Sequence, residues 1–360
     1  MSTFSNVPEQ AEAKRLLGAA LEEGPAHAYL FHGPPGVGKR AAAIAFAAEL
    51  LGEHERVERR SHPDLYILEP LGDQIRIDAI RELRRDLHMR PFEADRRVYL
   101  IFGAEVMNEE AADALLKDLE EPPPYAVIVL VADDVGPLSE TIRSRCQPVP
   151  FRRLSEKAVR AAIAERALGL SPNEEAALAR VAAGRLDRME RLLDPKATER
   201  RAELLELARA VYRDSSFVPA QAAKAVIESA GVRAKEARAA AEEELEGQEL
   251  PPREAEQWLR RAARGAEREE LLLVLDELGA WYRDLVAVAV GAEGAAIHVD
   301  HLDALREDAT PERSAPAETA AELVRQTWRE LQELQLQAPL AFEALFVQLR
   351  RAFAGSPVAV

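Results

Sequence analysis

Residues 33–39 read Gly-Pro-Pro-Gly-Val-Gly-Lys, with the apolar run Ala28–Phe31 before them and an alanine-rich stretch from Arg40 to Leu51 after them. Strand, glycine loop and helix, in that order, are what a phosphate-binding loop requires. The glycines let backbone N–H groups turn inward around phosphate oxygens. The helix N-terminus adds a favourable dipole, and Lys39 supplies a point charge. Gly33, Gly36, Val37, Gly38, Lys39 and Arg40 are therefore the candidate nucleotide- or phosphate-binding residues. The competing reading is a Gly/Pro turn that merely joins strand to helix.

The position after Lys39 carries a defect. A working loop has Ser or Thr there, whose hydroxyl holds Mg²⁺. Here it is Arg40, followed by three alanines. A guanidinium has no acceptor and stays protonated, so it repels the ion instead of ligating it. The carboxylates expected at the end of a later strand are missing too. Phe102 and Gly103 close the run Val98–Phe102 where Asp and then Glu would stand. Glu105 follows two to three residues on and reads as a solvated carboxylate at a helix start. The expectation is that ATP, ADP or phosphate can enter the loop, with Arg40 offsetting its charge, but without productive Mg²⁺. No intrinsic ATPase activity is expected.

The elements that must position these residues alternate between strand and helix patterns. Strands are expected at Ala28–Phe31, Asp64–Leu68, Val98–Phe102, Ala126–Val131 and Pro148–Phe151. The run Ala126–Val131 is almost continuously apolar, as in a parallel strand buried on both faces. Helices are expected near 40–51, 78–88 and 109–121, the last stopped by Pro122, Pro123 and Pro124. This is an α/β layer architecture with a parallel sheet and flanking helices. After Phe151 the strand signal vanishes. Residues 154–195 are short helical patterns, and from about 201 the sequence is rich in Ala, Leu, Glu and Arg with helical periodicity. Lys235–Pro252 reads as an exposed helix leading into a linker, and Gly291–Pro316 as a long irregular loop.

Composition narrows the function. With 360 residues, two or three domains are expected. The formal net charge of −16 argues against a protein that grips DNA with its whole surface, so any nucleic-acid contact is local or shared. No apolar run is long enough to span a bilayer, and the first ten residues carry no secretory pattern, so no membrane association and a cytoplasmic location are expected. The single Cys146 excludes an internal disulfide framework and a multi-cysteine metal site.

Further segments carry a family likeness. These are His27-Ala28-Tyr29-Leu30-Phe31, His62-Pro63-Asp64, Ala114-Leu115-Leu116-Lys117, Leu119-Glu120-Glu121-Pro122-Pro123 and Ser144-Arg145-Cys146. In order and spacing the chain over residues 5–152 resembles the bacterial DNA polymerase III clamp-loader subunits of the AAA+ class, and within them the delta-prime branch. More weakly, Leu336-Gln337-Ala338-Pro339-Leu340-Ala341-Phe342-Glu343 resembles that family's last collar helix. The resemblance implies an AAA+ nucleotide-binding-like domain at 1–153, a helical lid at 154–200 and an all-α collar for oligomerisation at 201–360. It implies a pentameric ring with gamma/tau and delta subunits, and through them the sliding clamp, primed DNA and DNA polymerase. It also implies that this branch is a stator that does not hydrolyse ATP. Arg145 is then an arginine finger acting in trans on the ATP of a neighbouring subunit. A surface Arg at a helix end, paired or solvated, is the plainer alternative. Cys146 reads as a small buried hydrophobe.

The sequence departs from the family pattern. Many relatives carry a four-cysteine zinc module where this chain has Leu51–Ser61, and His54 and His62 alone cannot build one, so no zinc is expected. Ala132 and Asp133 replace the expected sensor Thr, and Asp187 stands where an active subunit has a sensor Arg, with Arg188 beside it. On the helix near 78–88, Arg81, Arg84, Arg85 and His88 form one stripe at i, i+3, i+4 and i+7. Arg81, Arg84 and Arg85 are candidates for DNA-backbone contact, against an ordinary solvated face that also carries Asp78, Glu82 and Asp86. In the collar, Trp258, Leu271–Leu275, Trp281, Trp328 and Leu331–Leu336 read as core. Other readings are an active gamma/tau-type motor, a small-molecule kinase and a scaffold that never binds nucleotide. The first two need the Mg²⁺ ligands this chain lacks.

Overall fold

The five apolar runs pair side by side, all parallel, into one sheet of order β2-β3-β4-β1-β5: β1 Ala28–His32, β2 Leu65–Leu68, β3 Arg97–Phe102, β4 Ala126–Ala132 and β5 Gln147–Pro150. The computed structural model describes residues 4–70, 74–166, 169–245, 252–333 and 337–355. β3 and β4 are buried along their whole length, as the apolar runs Val98–Phe102 and Ala126–Ala132 require, with Arg97 at the start of β3 paired to Asp86 at 2.7 Å. Helices cover both faces: α1 Ala11–Glu23, α2 Lys39–Leu51 and α3 His54–Glu58 on one, α4 Ile77–Leu87, α5 Glu109–Glu120 and α6 Glu140–Arg143 on the other. Phe46 of α2 meets Tyr29 of β1 edge to face, with centroids 5.2 Å apart. Asn108 caps α5, its side chain accepting from the Ala111 N–H.

Two further features build the site. The registers His32↔Ala132 and Phe102↔Val131 bring the carboxyl ends of β1, β4 and β3 together, the edge where open parallel sheets bind ligands. The first turn of α2 follows directly from Gly38, which is left-handed.

The rest is helical: α7 Glu156–Ala164, α8 Pro172–Ala182, α9 Leu186–Leu192, α10 Pro195–Arg213, α11 Pro219–Leu245, α12 Pro252–Ala289, α13 Leu302–Asp308, α14 Pro311–Glu333 and α15 Ala338–Phe353. The chain forms two compact units. One is Met1–Ala162 with Ala183–Arg188; the other is Ile163–Ala182 with Met189–Val360. The second has its own core, with Trp281, Tyr282, Phe342 and Phe346 fully buried. Leu271, Leu275 and Trp281 are core as expected, Trp258 and Trp328 are half-buried, and Leu334 and Leu336 lie outside the described residues.

Gly291–Pro316 is not the irregular loop its composition suggests. It holds two short 3₁₀ turns, α13 and the start of α14. Pro311 opens α14, where its missing N–H costs nothing. Pro316 lies inside the helix, which continues because Ala317, Ala320 and Val324 are buried. The segment is also tied down by charge. The Asp284 carboxylate accepts from the Ile297 and His298 N–H groups, both at 2.8 Å, and Arg201 pairs with Asp300 at 2.6 Å.

Candidate functional site

Gly33 leaves β1 with φ +137°, and a Cβ there would fall 2.1 Å from the Phe151 carbonyl oxygen. Only glycine permits that approach of loop to β5. Gln10 fastens the same corner. Its amide donates to the Val37 and Arg152 carbonyls at 3.2 and 2.7 Å and accepts from the Arg152 N–H at 3.0 Å. Val37 is fully buried and packs in the core under the loop.

Lys39 turns inward. Its ammonium donates to the Gly33 and Pro34 carbonyls at 2.6 and 2.5 Å and pairs with the Asp133 carboxylate at 2.7 Å. The lysine side chain is 4% exposed and the aspartate 50%. Asp133 is the residue immediately after β4, beside the loop because β4 and β1 are neighbours.

Arg40 points away from the loop. Its guanidinium lies 4.2 Å from the Phe102 ring centroid and pairs with Glu69, which also takes Arg60 at 3.1 Å. The two residues that stand in for metal ligands therefore touch each other as a cation–π pair. Gly103 is left-handed, φ +65°.

Glu105 is not a solvated carboxylate. It is half-buried in the short turn after β3, and burial pushes its pKa up, reinforced by the nearby Asp133 charge. It accepts from the Asp133 backbone N–H, and its Oε2 is buried without a hydrogen-bond partner. Sequence reading placed it elsewhere because the β3 and β4 ends meet only through the sheet order. Asp187 also reaches the loop. The Leu186 N–H donates to the Gly36 carbonyl at 2.7 Å, and a Cβ on Gly36 would fall 1.7 Å from Asp187 Oδ1. Arg185 orients that carboxylate with bonds of 3.2 and 2.7 Å. The sequence marked Asp133 and Asp187 as departures from a pattern, but not as neighbours of Lys39 and Gly36.

Arg145 follows α6 and is exposed. It donates to the Thr141 carbonyl at 3.0 Å and pairs with Glu120 at the end of α5 at 2.5 Å. The Leu119-Glu120-Glu121 and Ser144-Arg145-Cys146 motifs thus meet in space. Cys146 is buried, and burial pushes its thiol up to about 12, so it packs and does not react.

The α4 stripe divides in two. Arg84 pairs at 2.5 Å with Asp118, which is 3% exposed on α5. That makes Arg84 a brace between helices. Arg81 is exposed and paired with Asp78 at 3.2 Å, and Arg85 is exposed. None of the three lies in the phosphate loop. Asp64 of the His-Pro-Asp motif is fully buried. Burial alone would raise its pKa, but bonds from the Ala94, Phe92 and Glu93 N–H groups and the Arg97 charge leave it lowered. Nearby, Glu53, His62 and Glu93 bring three ligand-type atoms within 4.8 Å of one another. Arg56 already bridges the two carboxylates at 2.9 and 2.6 Å, and the His62 Nδ1 accepts from the Asp64 N–H.

Residues 9–155 match the family model described as DNA polymerase III, delta subunit. The DNA polymerase III subunit delta' of Bacillus subtilis is 30% identical over 217 residues, covering 57% of this chain and 65% of that one. The protein of the same name from Pseudomonas aeruginosa is 39% identical over 136 residues, 34% of this chain and 42% of that one. DNA polymerase III subunit tau of Bacillus subtilis is 33% identical over 165 residues, 42% of this chain and 29% of that one. The matches span less than two thirds of the length of each of these relatives. No helix among the described residues is long and apolar enough to cross a membrane.

Proposed function

We propose that this chain, whose residues 9–155 match the DNA polymerase III delta-subunit family model, is a delta-prime-type clamp-loader subunit that loads without hydrolysing. In this reading it is a stator in a pentameric ring with gamma/tau and delta subunits. It helps place the sliding clamp on primed DNA and supplies Arg145 in trans to the ATP of a neighbouring motor. An arginine there neutralises charge on the transferring γ-phosphoryl group. The observation that carries the reading is the Arg40–Phe102 stack, a fixed cation and an aromatic ring where hydrolysis needs a hydroxyl and a carboxylate for Mg²⁺. The likeness to a tau subunit favours the second reading, an active motor, and the same stack weighs against it.

The test is ATP turnover by the purified chain alone, and then with gamma/tau and delta subunits, clamp and primed DNA. The chain alone should be inert. The mixture should lose its stimulated turnover with Arg145→Ala. Mg²⁺-dependent turnover by the isolated chain would place it among the motors.

A further inference from the structure

Losing the Mg²⁺ ligands does not by itself empty a phosphate loop. Backbone N–H groups and the lysine bind phosphate oxygens without the metal, and here Gly33, Gly36, Gly38 and Lys39 are all present. The geometry around them points to a different obstacle. We propose that the loop is held shut by the chain's own carboxylates, Asp133 on Lys39 and Asp187 on Gly36, and that these contacts keep nucleotide out. The inference deepens the stator reading and rests on it, since it accounts for a subunit that does not turn over ATP.

An ammonium has three protons to donate. Those of Lys39 go to the Gly33 carbonyl, the Pro34 carbonyl and Asp133 Oδ1, at 2.6, 2.5 and 2.7 Å. None remains for a phosphate unless one of these partners leaves, and Asp133 is the only one of the three that carries a negative charge. Asp133 delivers a negative oxygen to the ammonium in the way a phosphate would, but covalently tethered to the end of β4, so it competes at high effective concentration. Behind it, Glu105 Oε2 is buried with no donor facing it. A phosphate oxygen arriving there would meet another acceptor at short range. The second obstacle is independent of the first. Asp187 sits against the α-carbon face of Gly36, held by the Leu186 N–H to Gly36 carbonyl bond and by Arg185. The loop therefore serves as a latch within its unit, occupied by two carboxylates from distant stretches of the chain.

The experiment titrates a fluorescent ADP analogue, in Mg²⁺ and in EDTA, into the full chain and into Asp133→Ala, Asp187→Ala and the double variant. The native chain should show no saturable binding at millimolar nucleotide. Each single variant should gain affinity, and the double variant should bind at least about tenfold more tightly than either. Binding should be insensitive to EDTA and abolished when Lys39→Ala is added. Asp133 is half-exposed, so its loss leaves the core untouched. The native titration decides even if a variant fails to fold: saturable binding of nucleotide by the native chain below millimolar concentration would overturn the proposal. So would a folded double variant that still binds nothing. The stator reading fails on a different result, unchanged partner turnover with Arg145→Ala, which leaves these titrations standing.

Discussion

The same unit carries two cations that sequence alone would rank together, and the fold treats them in opposite ways. Lys39 is 4% exposed and fully bonded, to two loop carbonyls and a carboxylate. Arg145 stands at a helix end, its side chain 32% exposed, bonded to the Thr141 carbonyl, the Ser144 hydroxyl and the half-exposed Glu120. An exposed ion pair is worth about 0–1 kcal/mol, so Arg145 can exchange Glu120 for a phosphate on another molecule at little cost. Pulling Lys39 away strips a buried charge of all its partners, and such charges are costly to leave uncompensated. The contrast is one of burial: the loop cation is buried with every proton bonded, and the cation at the helix end is partly exposed with a partner that solvent screens.

The most direct way to break the comparison is to remove each cation in the assembled loader. Arg145→Ala should lower stimulated turnover about 10³-fold, the lower end of what an arginine finger supplies. Arg145→Lys should fall in between, because a lysine keeps the charge but loses the planar fork. Lys39→Ala should leave partner turnover unchanged. If Lys39→Ala costs as much as Arg145→Ala, the loop participates in catalysis and the contrast is wrong.

The helical unit offers a buried histidine of wholly structural character against which both can be measured. His298 is fully buried, with Nδ1 2.8 Å from Asp284 and Nε2 3.1 Å from Glu277. Burial alone would lower its pKa, but those bonds leave it raised above its ordinary value despite the Arg201 charge nearby. A raised folded-state pKa contributes stability that is fully present below the unfolded value, about 6.5, and is lost as pH rises through the folded one. His298→Ala should cost about 3–5 kcal/mol, because it removes the buried imidazole that bridges Asp284 and Glu277. Thermal unfolding should show the native chain losing part of its advantage over the variant as pH rises above about 6.5. Turnover at pH values where the variant stays folded should be unaffected.

Much of this was legible in the sequence and some of it could not be. The run Ala126–Val131 announced a strand buried on both faces, and the phosphate loop announced itself because strand, glycines and helix are contiguous. The Arg40 defect was equally local. The stacking of Arg40 on Phe102 was not, because it needs β3 to sit where the start of α2 can reach it. Glu105, Asp133 and Asp187 come from three separate stretches and converge only through the order β3-β4-β1 and the return of residues 183–188 to the first unit. Gly291–Pro316 was misread for the converse reason. Its glycines and prolines are local signals for a loop, whereas the buried Arg201 that holds Asp300 lies 99 residues away and Asp284 reaches the segment from the preceding helix.

A smaller effect is expected at Gly36. It is left-handed at φ +68°, and any side chain there must push Asp187 aside. Gly36→Ala should therefore cost about 1–3 kcal/mol of stability from backbone strain, read as a fall in unfolding midpoint, while leaving partner turnover intact.

The smallest effect sharpens the comparison most. Glu120→Ala removes the carboxylate that holds Arg145 in the free chain. The pair is partly exposed, so stability should change by no more than about 1 kcal/mol. If the contact is only a resting place, the assembled loader should turn over ATP as well as before, with a KM no higher, because the arginine no longer has to leave a competing carboxylate. If Glu120 instead aims the finger, turnover should fall toward the level of Arg145→Ala with KM unchanged, and Glu120→Asp should restore part of it. That second outcome would mean that Arg145 is positioned as deliberately as Lys39 is confined, and the difference between the two cations would lie in direction alone and no longer in freedom.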